Sequence, residues 1–351
     1  MTNTLFILKR KEDYNNVTDC TKSMSTGLYN SASFMNDMLN DMGLTSDIVV
    51  VKDNNEIDKV VTEYQPKIVI IEALWIVPEK FNILTKLHPN VKWIIRVHSE
   101  LPFLAGEGIA MNWLSEYSSF DNVIIACNAP RMLHEMRVII STRNNIPYDS
   151  DKVIYLPNFY PKTSNKVRHI DKTKDTIDIS LFGAVRPFKN HMVQAIAAID
   201  FANKIGKKLR LHINAGRIEM NGGSVLSNLK ALFEQLSESG HILVNHDWLD
   251  HDKFLEVCAE TDIGLQVSFT ETFNIVGADI ISQGVPLVGS SEIPWLSSFF
   301  TANPTSSKEI TEYLELAYNY NWFNVKLNQF LLNRYSNNTA KIWSKFFSKN
   351  I

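Results

Sequence analysis

The sequence predicts two doubly wound α/β domains, each a parallel sheet covered by helices. Three observations lead there. Short continuous apolar runs rich in Val and Ile recur along the chain, and such runs are strands buried on both faces. A polar turn and a helical pattern follow nearly every run, which is the alternation that builds a parallel sheet. The alternation breaks once, over a polar stretch at 161–176, and then restarts, so the 351 residues divide into two units.

In the first half the strands are LFIL (5–8), DIVVV (47–51), KIVIIEA (67–73), KWIIRVH (92–98), NVIIACN (122–128) and KVIYLPN (152–158). Helices are expected over 31–42, 55–64, 78–87, 110–117 and 129–141. The stretch at 161–176, PKTSNKVRHIDKTKDT, carries almost no core material and reads as the linker. After it come DISLFGA (178–184), KLRLHIN (208–214), HILVN (241–245), DIGLQVS (262–268) and VPLVGS (285–290). Helices between them fall near 190–205, 226–237, 252–260 and 274–282. The tail from 308 is helical and aromatic, and Trp343, Phe346 and Phe347 need a surface to cover. Its last helix, about 330–351, is therefore expected to return to the first domain. The expected domains are 1–160 together with 330–351, and 161–329.

Composition narrows the function. With 38 acidic against 35 basic residues and a formal net charge of −3, nothing global favours nucleic acid, a local basic groove aside. Cys20, Cys127 and Cys258 are too far apart for a disulfide framework or a CxxC site, which suits a reducing, cytoplasmic setting. The apolar run at 5–8 is too short for a signal segment. No run approaches the roughly 20 residues of a membrane span.

Generic nucleotide motifs are missing: no GxGxxG follows the first strand, and no GxxxxGK[ST] occurs. Asp250-His251-Asp252 is a formal DxD that could hold a divalent cation against a diphosphate. It reads more simply as the cap of the next helix, and no metal is expected. The strand-to-helix turn GAVRPFKNH (183–191) sets Gly183, Arg186 and Lys189 at the carboxyl end of a strand, ahead of helix amides. Cations beside a helix N-terminus at such a crossover suit a diphosphate. Further on, Glu271-Thr272-Phe273-Asn274-Ile275 follows another strand. Asp279 lies a little over two helical turns beyond Glu271, so both can face one ligand. Gly284 and Pro286 then lead into the next strand. Taken singly, each piece has an ordinary reading: a solvated basic loop, a helix-start carboxylate, a solvated aspartate.

Together these residues resemble the retaining GT-B glycosyltransferases, in particular the large glycogen-synthase-like family. Its C-terminal domain carries a glycine loop with basic residues, two acidic residues at this spacing, and a glycine-x-proline strand entry. Gly183, Lys189, Glu271, Phe273, Val276, Asp279, Gly284 and Pro286 match in order and spacing across about 178–290. The resemblance implies two Rossmann-like domains facing a cleft, a nucleoside-diphosphate sugar as donor, and transfer with retention and without metal. It implies that Arg186 and Lys189 bind the diphosphate, Glu271 the sugar hydroxyls and Asp279 the ribose. Gly183, Asn214, Thr272, Phe273, Asn274 and Ile275 would line the donor site, and Trp248 is a further candidate. Because Glu271 would touch only the sugar, its removal is expected to leave nucleoside-diphosphate affinity nearly unchanged while lowering turnover.

In the first domain, Gly27 in the turn at 25–29 resembles the family's glycine loop. His98, ending the fourth strand just before Pro102, resembles its cleft histidine. The expected catalytic residues are His98, Arg186, Lys189 and Glu271. The sequence departs from the family in three ways: Arg186 lies further from Gly183, Thr272 and Asn274 replace glycines flanking the Phe, and Asp279 stands for glutamate. The acceptor is a glycan or small molecule, or a hydroxymethylated base in duplex DNA, because the 99–108 loop also resembles glycosyltransferases of phages. A phage enzyme would act in the host cytoplasm. Lys9-Arg10-Lys11 and the lysines at 162–174 could meet DNA phosphates, although they read as solvated surface. A nucleotide-sugar epimerase and a non-catalytic sugar-nucleotide-binding subunit are the alternatives.

Overall fold

A computed structural model describes residues 3–9 and 26–350 of the chain. The protein divides into two compact units, Met1–Pro161 with Ser336–Ile351, and Lys162–Tyr335.

The first unit runs β1 (Thr4–Lys9), α1 (Thr26–Asp41), β2 (Ser46–Val51), α2 (Ile57–Tyr64), β3 (Ile68–Glu72), α3 (Phe81–Leu87), β4 (Lys92–Val97), α4 (Leu101–Leu104), α5 (Ala110–Tyr117), β5 (Val123–Cys127), α6 (Pro130–Asn144) and β6 (Val153–Tyr155). Its strands pair in parallel in the order β2-β1-β3-β4-β5-β6. β3 and β5 are buried along their whole length, as apolar strands with helices over both faces must be. Leu5, Ile7, Val69, Ile71, Trp93 and Ile95 pack one face, while Phe6, Ile68, Ile70 and Ile94 pack the other.

The second unit runs β7 (Thr176–Ser180), α7 (His191–Lys204), β8 (Lys208–Ile213), α8 (Gly222–Gln235), β9 (Ile242–Asn245), α9 (His251–Glu260), β10 (Ile263–Gln266), α10 (Ile275–Ser282), β11 (Leu287–Gly289), α11 (Ser307–Asn319) and α12 (Asn321–Asn350), the last of which ends in the first unit. The sheet order is β11-β10-β7-β8-β9, again parallel. Connections leave β7 toward β8 and later return to β10 on its other side. The switch point therefore lies between the carboxyl ends of β7 and β10, where open α/β sheets take their ligands.

Three local expectations are corrected. α1 begins at Thr26, so Gly27 stands in the first helical turn and not in a loop. The apolar stripe explains this, because Leu28, Ala32, Met35 and Leu39 recur on one face against the sheet. The remainder of the preceding turn, Cys20 and most of Lys9-Arg10-Lys11 lie outside the described residues. The loop at 99–108 contains the short helix α4, with Leu104 buried.

The polar stretch after Pro161 is not a free linker. The Thr163 N–H is accepted by Asn333, the Arg168 N–H by the Gly284 carbonyl, and the Ser164 hydroxyl donates to the Ser282 carbonyl. Arg168 also reaches the carbonyls of Ala259 and Glu260, and Ile170 is buried. Hydrogen bonds fasten this strap, which is why its composition lacks core material.

The end of α12 belongs to the first core. Trp343 is fully buried, its ring 6.3 Å from Phe6 and 6.0 Å from Phe347, and its indole N–H donates to the Pro157 carbonyl at 2.9 Å. Among the described residues no helix is long and apolar enough to cross a membrane. Replacing a buried Trp with Ala leaves a large cavity, at a typical cost of about 3–5 kcal/mol. Trp343→Ala should therefore destabilise the first unit by that amount in urea unfolding. A loss below about 1 kcal/mol would mean that the tail does not complete this core.

Candidate active site

At the carboxyl end of β7 the chain enters Leu181-Phe182-Gly183. Gly183 has φ +118°, a conformation L side chains rarely adopt, and its N–H donates to Asn214 Oδ1 at 2.7 Å. A Cβ here would lie 3.5 Å from Lys189 Cε, so the lysine stem runs across the glycine. A single 3₁₀ turn, Pro187–Lys189, then leads into α7.

Lys189 is only 9% exposed, and its Nζ lies 2.5 Å from Glu271 Oε1, with Gln266 Oε1 at 3.5 Å. Glu271, equally buried, comes from the turn after β10. The pair thus spans the switch point. Burial pushes the Lys189 ammonium below its ordinary value, and the Glu271 carboxylate opposes that shift. His191, at the start of α7, is pushed down to about 4, by burial first and then by Lys189. It is neutral at pH 7 and adds no charge to the loop.

Side-chain amides hold these two turns together. Gln194 donates to the Lys189 carbonyl at 2.7 Å and accepts the Val267 N–H at 2.7 Å. Asn190, at φ +60°, donates to the Val267 carbonyl at 3.0 Å and the Pro304 carbonyl at 2.7 Å. Gln266 donates to the Phe182 carbonyl at 2.8 Å and accepts from Asn274 Nδ2 at 3.0 Å. Asn274 caps α10 by accepting the Gly277 N–H at 2.7 Å. The first amides of α10, at Ile275 and Val276, lie beyond the reach of that helix's own carbonyls and face an anion favourably.

The remaining expected residues divide. Arg186 pairs with Glu219 at 3.1 Å, and Glu219 also binds Arg217, whose guanidinium lies over the Trp248 ring. Val185 pairs alongside Ile218, and the Gly222 backbone passes so close that a Cβ would strike the Val185 carbonyl at 1.9 Å. Asn214 spends its side-chain oxygen on the Gly183 loop. Phe273 is core: it is 2% exposed and packs near Trp295 and Tyr335. Thr272 and Ile275 are half-buried beside Glu271 and the start of α10.

Asp279 is also tied down. Its Oδ1 lies 2.9 Å from His251 Nε2, and it is 2% exposed. Glu271 and Asp279 therefore have different cationic partners. Burial would lower the His251 pKa, but hydrogen bonding and charge from Asp279 outweigh burial and raise it. Asp250 caps α9 through the Lys253 N–H at 3.0 Å. Among the described residues no group of three His, Cys, Asp or Glu side chains is arranged to hold a metal.

In the first unit, Glu72 and Arg96 occupy paired register positions at the carboxyl ends of β3 and β4, both fully buried. Arg96 Nη1 donates to both Glu72 oxygens, at 3.0 and 3.2 Å, Nη2 bonds Asn158, and the guanidinium lies over Trp343. His98 Nε2 meets the other side of Glu72, while Nδ1 faces Asn128 Nδ2 at 3.3 Å. Burial would raise Glu72, yet Arg96 and His98 hold it below the usual carboxylate range. Burial lowers His98 and keeps it neutral. A neutral ring donating from Nε2 to Glu72 and accepting at Nδ1 satisfies both partners.

Glu72, Arg96, Gln194 and Gln266 are not among the residues the sequence singles out, and His251 appears there only as the middle of the DxD. Those four carry one signal: a charged or amide residue inside a run otherwise fit only for burial.

No protein-family model matches the chain, and no curated protein sequence matches it significantly. Solved structures do. A UDP-forming α,α-trehalose-phosphate synthase from Burkholderia xenovorans superposes with TM-score 0.71 at 10% identity, covering 100% of this chain and 98% of its own. A sucrose-phosphate synthase from Thermosynechococcus elongatus gives 0.66 at 10% identity, covering 99% and 98%. A trehalose-6-phosphate synthase studied for enzymatic glycosyltransfer with retention gives 0.65 at 11% identity, covering 85% and 77%. The fold is GT-B. At these identities the likeness establishes the architecture of the chain and leaves its chemistry to the residues.

The His251–Asp279 pair makes a pH prediction. A folded pKa raised above 6.5 stabilises fully below 6.5, and that contribution is lost as pH rises through the folded value. Wild-type protein should exceed His251→Gln in urea midpoint most below pH 6.5, and the gap should narrow as pH rises. A gap independent of pH between 6 and 8.5 would remove the charged pair from the account.

Proposed function

We propose that the protein is a glycosyltransferase moving a sugar from a nucleoside-diphosphate donor to an acceptor hydroxyl, with retention and without a metal. The observation that carries this reading is the meeting, at the β7/β10 switch point, of the Gly183 loop, Lys189, Glu271 and the start of α10. The similar structures include a UDP-forming synthase, which supports the donor class, and a synthase studied for transfer with retention, which supports the stereochemistry.

As the sugar–phosphate bond breaks, charge builds on the bridging oxygen of the diphosphate. Lys189, Arg186 and the first amides of α10 are assigned to that charge, Glu271 to the sugar hydroxyls and Asp279 to the ribose. No residue is assigned as a covalent nucleophile, so the acceptor hydroxyl attacks the face the diphosphate leaves. Its oxygen bonds the anomeric carbon as the bond from that carbon to the phosphate oxygen breaks, and its proton passes to an oxygen of the departing diphosphate. His98, neutral and oriented by Glu72, keeps the catalytic role that the resemblance implies for it. The acceptor is a hydroxyl of a glycan or small molecule. A hydroxymethylated base in phage DNA is the second reading, favoured by the likeness of 99–108 to phage enzymes.

A panel of nucleoside-diphosphate sugars, scored for slow donor hydrolysis and then for transfer, tests the proposal. Recovery of an isomerised sugar nucleotide would convert the reading to an epimerase. Binding with no turnover on any acceptor would convert it to a binding subunit. Arg186→Ala should lower turnover about 10²–10³-fold, the usual loss of one group stabilising transition-state charge. Activity should persist in EDTA. Loss in EDTA with rescue by Mn²⁺ would return Asp250 and Asp252 to the site as metal ligands.

A further inference from the structure

The carboxylate assigned to the sugar is bonded to the cation assigned to the diphosphate. Lys189 Nζ and Glu271 Oε1 stand 2.5 Å apart, and each residue is less than a tenth exposed. The contact is built and not incidental. The backbone of Lys189 is pinned by Gln194, and the turn carrying Glu271 lies between residues anchored by Gln194 and Gln266. Glu271 occupies the ammonium as an anion would.

We infer that Glu271 is the donor site's own counter-anion, and that it selects the sugar-bearing nucleotide over the nucleoside diphosphate left after transfer. The inference rests on the donor reading above. A diphosphate that takes Lys189 must displace or share the carboxylate, which then lies buried without its cation, a costly state. An intact donor supplies sugar hydroxyls as donors to that carboxylate. A nucleoside diphosphate lacks the transferred sugar, and its ribose is assigned to Asp279, so Glu271 competes with it for Lys189 and favours its departure. Removing the negative charge of Glu271 should therefore tighten the product, where a residue touching only the sugar would leave it unchanged.

The test is calorimetry on the full chain with UDP, GDP, ADP and inorganic pyrophosphate as probes, on wild type, Glu271→Gln, Glu271→Ala and Lys189→Ala. Glu271→Gln keeps the shape and removes the charge, and Glu271→Ala serves if the amide forms a new bond to Lys189. Either variant, folded by circular dichroism, should bind the preferred diphosphate about tenfold or more tightly than wild type, the scale of close buried charge coupling. Turnover should fall, and inhibition by the diphosphate product should strengthen. In the Lys189→Ala background, adding Glu271→Gln should bring no such gain, because the competition needs the ammonium. Unchanged or weaker diphosphate binding in both Glu271 variants, with wild type binding normally, overturns this inference alone. Failure of every probe to bind every protein overturns the donor reading, and this inference with it.

Discussion

An ammonium group withdrawn from water at the carboxyl end of a parallel sheet is the constraint around which the second unit is arranged. Lys189 cannot be buried alone, since a desolvated charge costs several kcal/mol. Its partner Glu271 arrives from the far side of the switch point. The two turns must therefore be held in register across β7 and β10, and amide side chains do this. Gln194, Gln266, Asn190, Asn214 and Asn274 each spend hydrogen bonds on backbone or on one another. An amide offers both donor and acceptor without charge, so it can brace the turns without competing for an anion.

The first unit solves the same problem with different parts. Glu72 and Arg96 are neighbours in strand register and neutralise each other without solvent, and Asn158 and the Leu156 carbonyl take up further guanidinium donors. Trp343 covers the guanidinium face and packs on Phe6. The end of the chain is thus needed to enclose a charge placed early in it. His98 inherits its orientation from this pair, which makes its neutral state a consequence of fold-level packing and not of local sequence.

The cations of the Gly183 loop carry carboxylate partners already: Arg186 with Glu219, Lys189 with Glu271. Glu219 also joins Arg217, so positive charge near the loop is substantially balanced within the protein. An anion arriving at this loop would have to exchange with these carboxylates at short range rather than respond to a net field. The modest overall charge of −3 is consistent with such a site.

Periodicity alone determined the strand-and-helix alternation and the position of the Gly183 and Glu271 turns, because strands buried on both faces must be apolar throughout. It also marked the aromatic end of α12 as core material. Gly27 has the composition of a turn residue, and only the stripe through Leu28 and Ala32 marks it as the start of α1. The strap after Pro161 escaped because hydrogen bonds to carbonyls leave no trace in hydropathy. Partner choice was decided only by tertiary structure. Whether Lys189 meets Glu271, Asp279 meets His251, or Glu72 meets Arg96 depends on which strand ends lie side by side. Sheet order sets that, bringing together residues far apart in sequence, and no local pattern records the cost of leaving a buried charge unpaired.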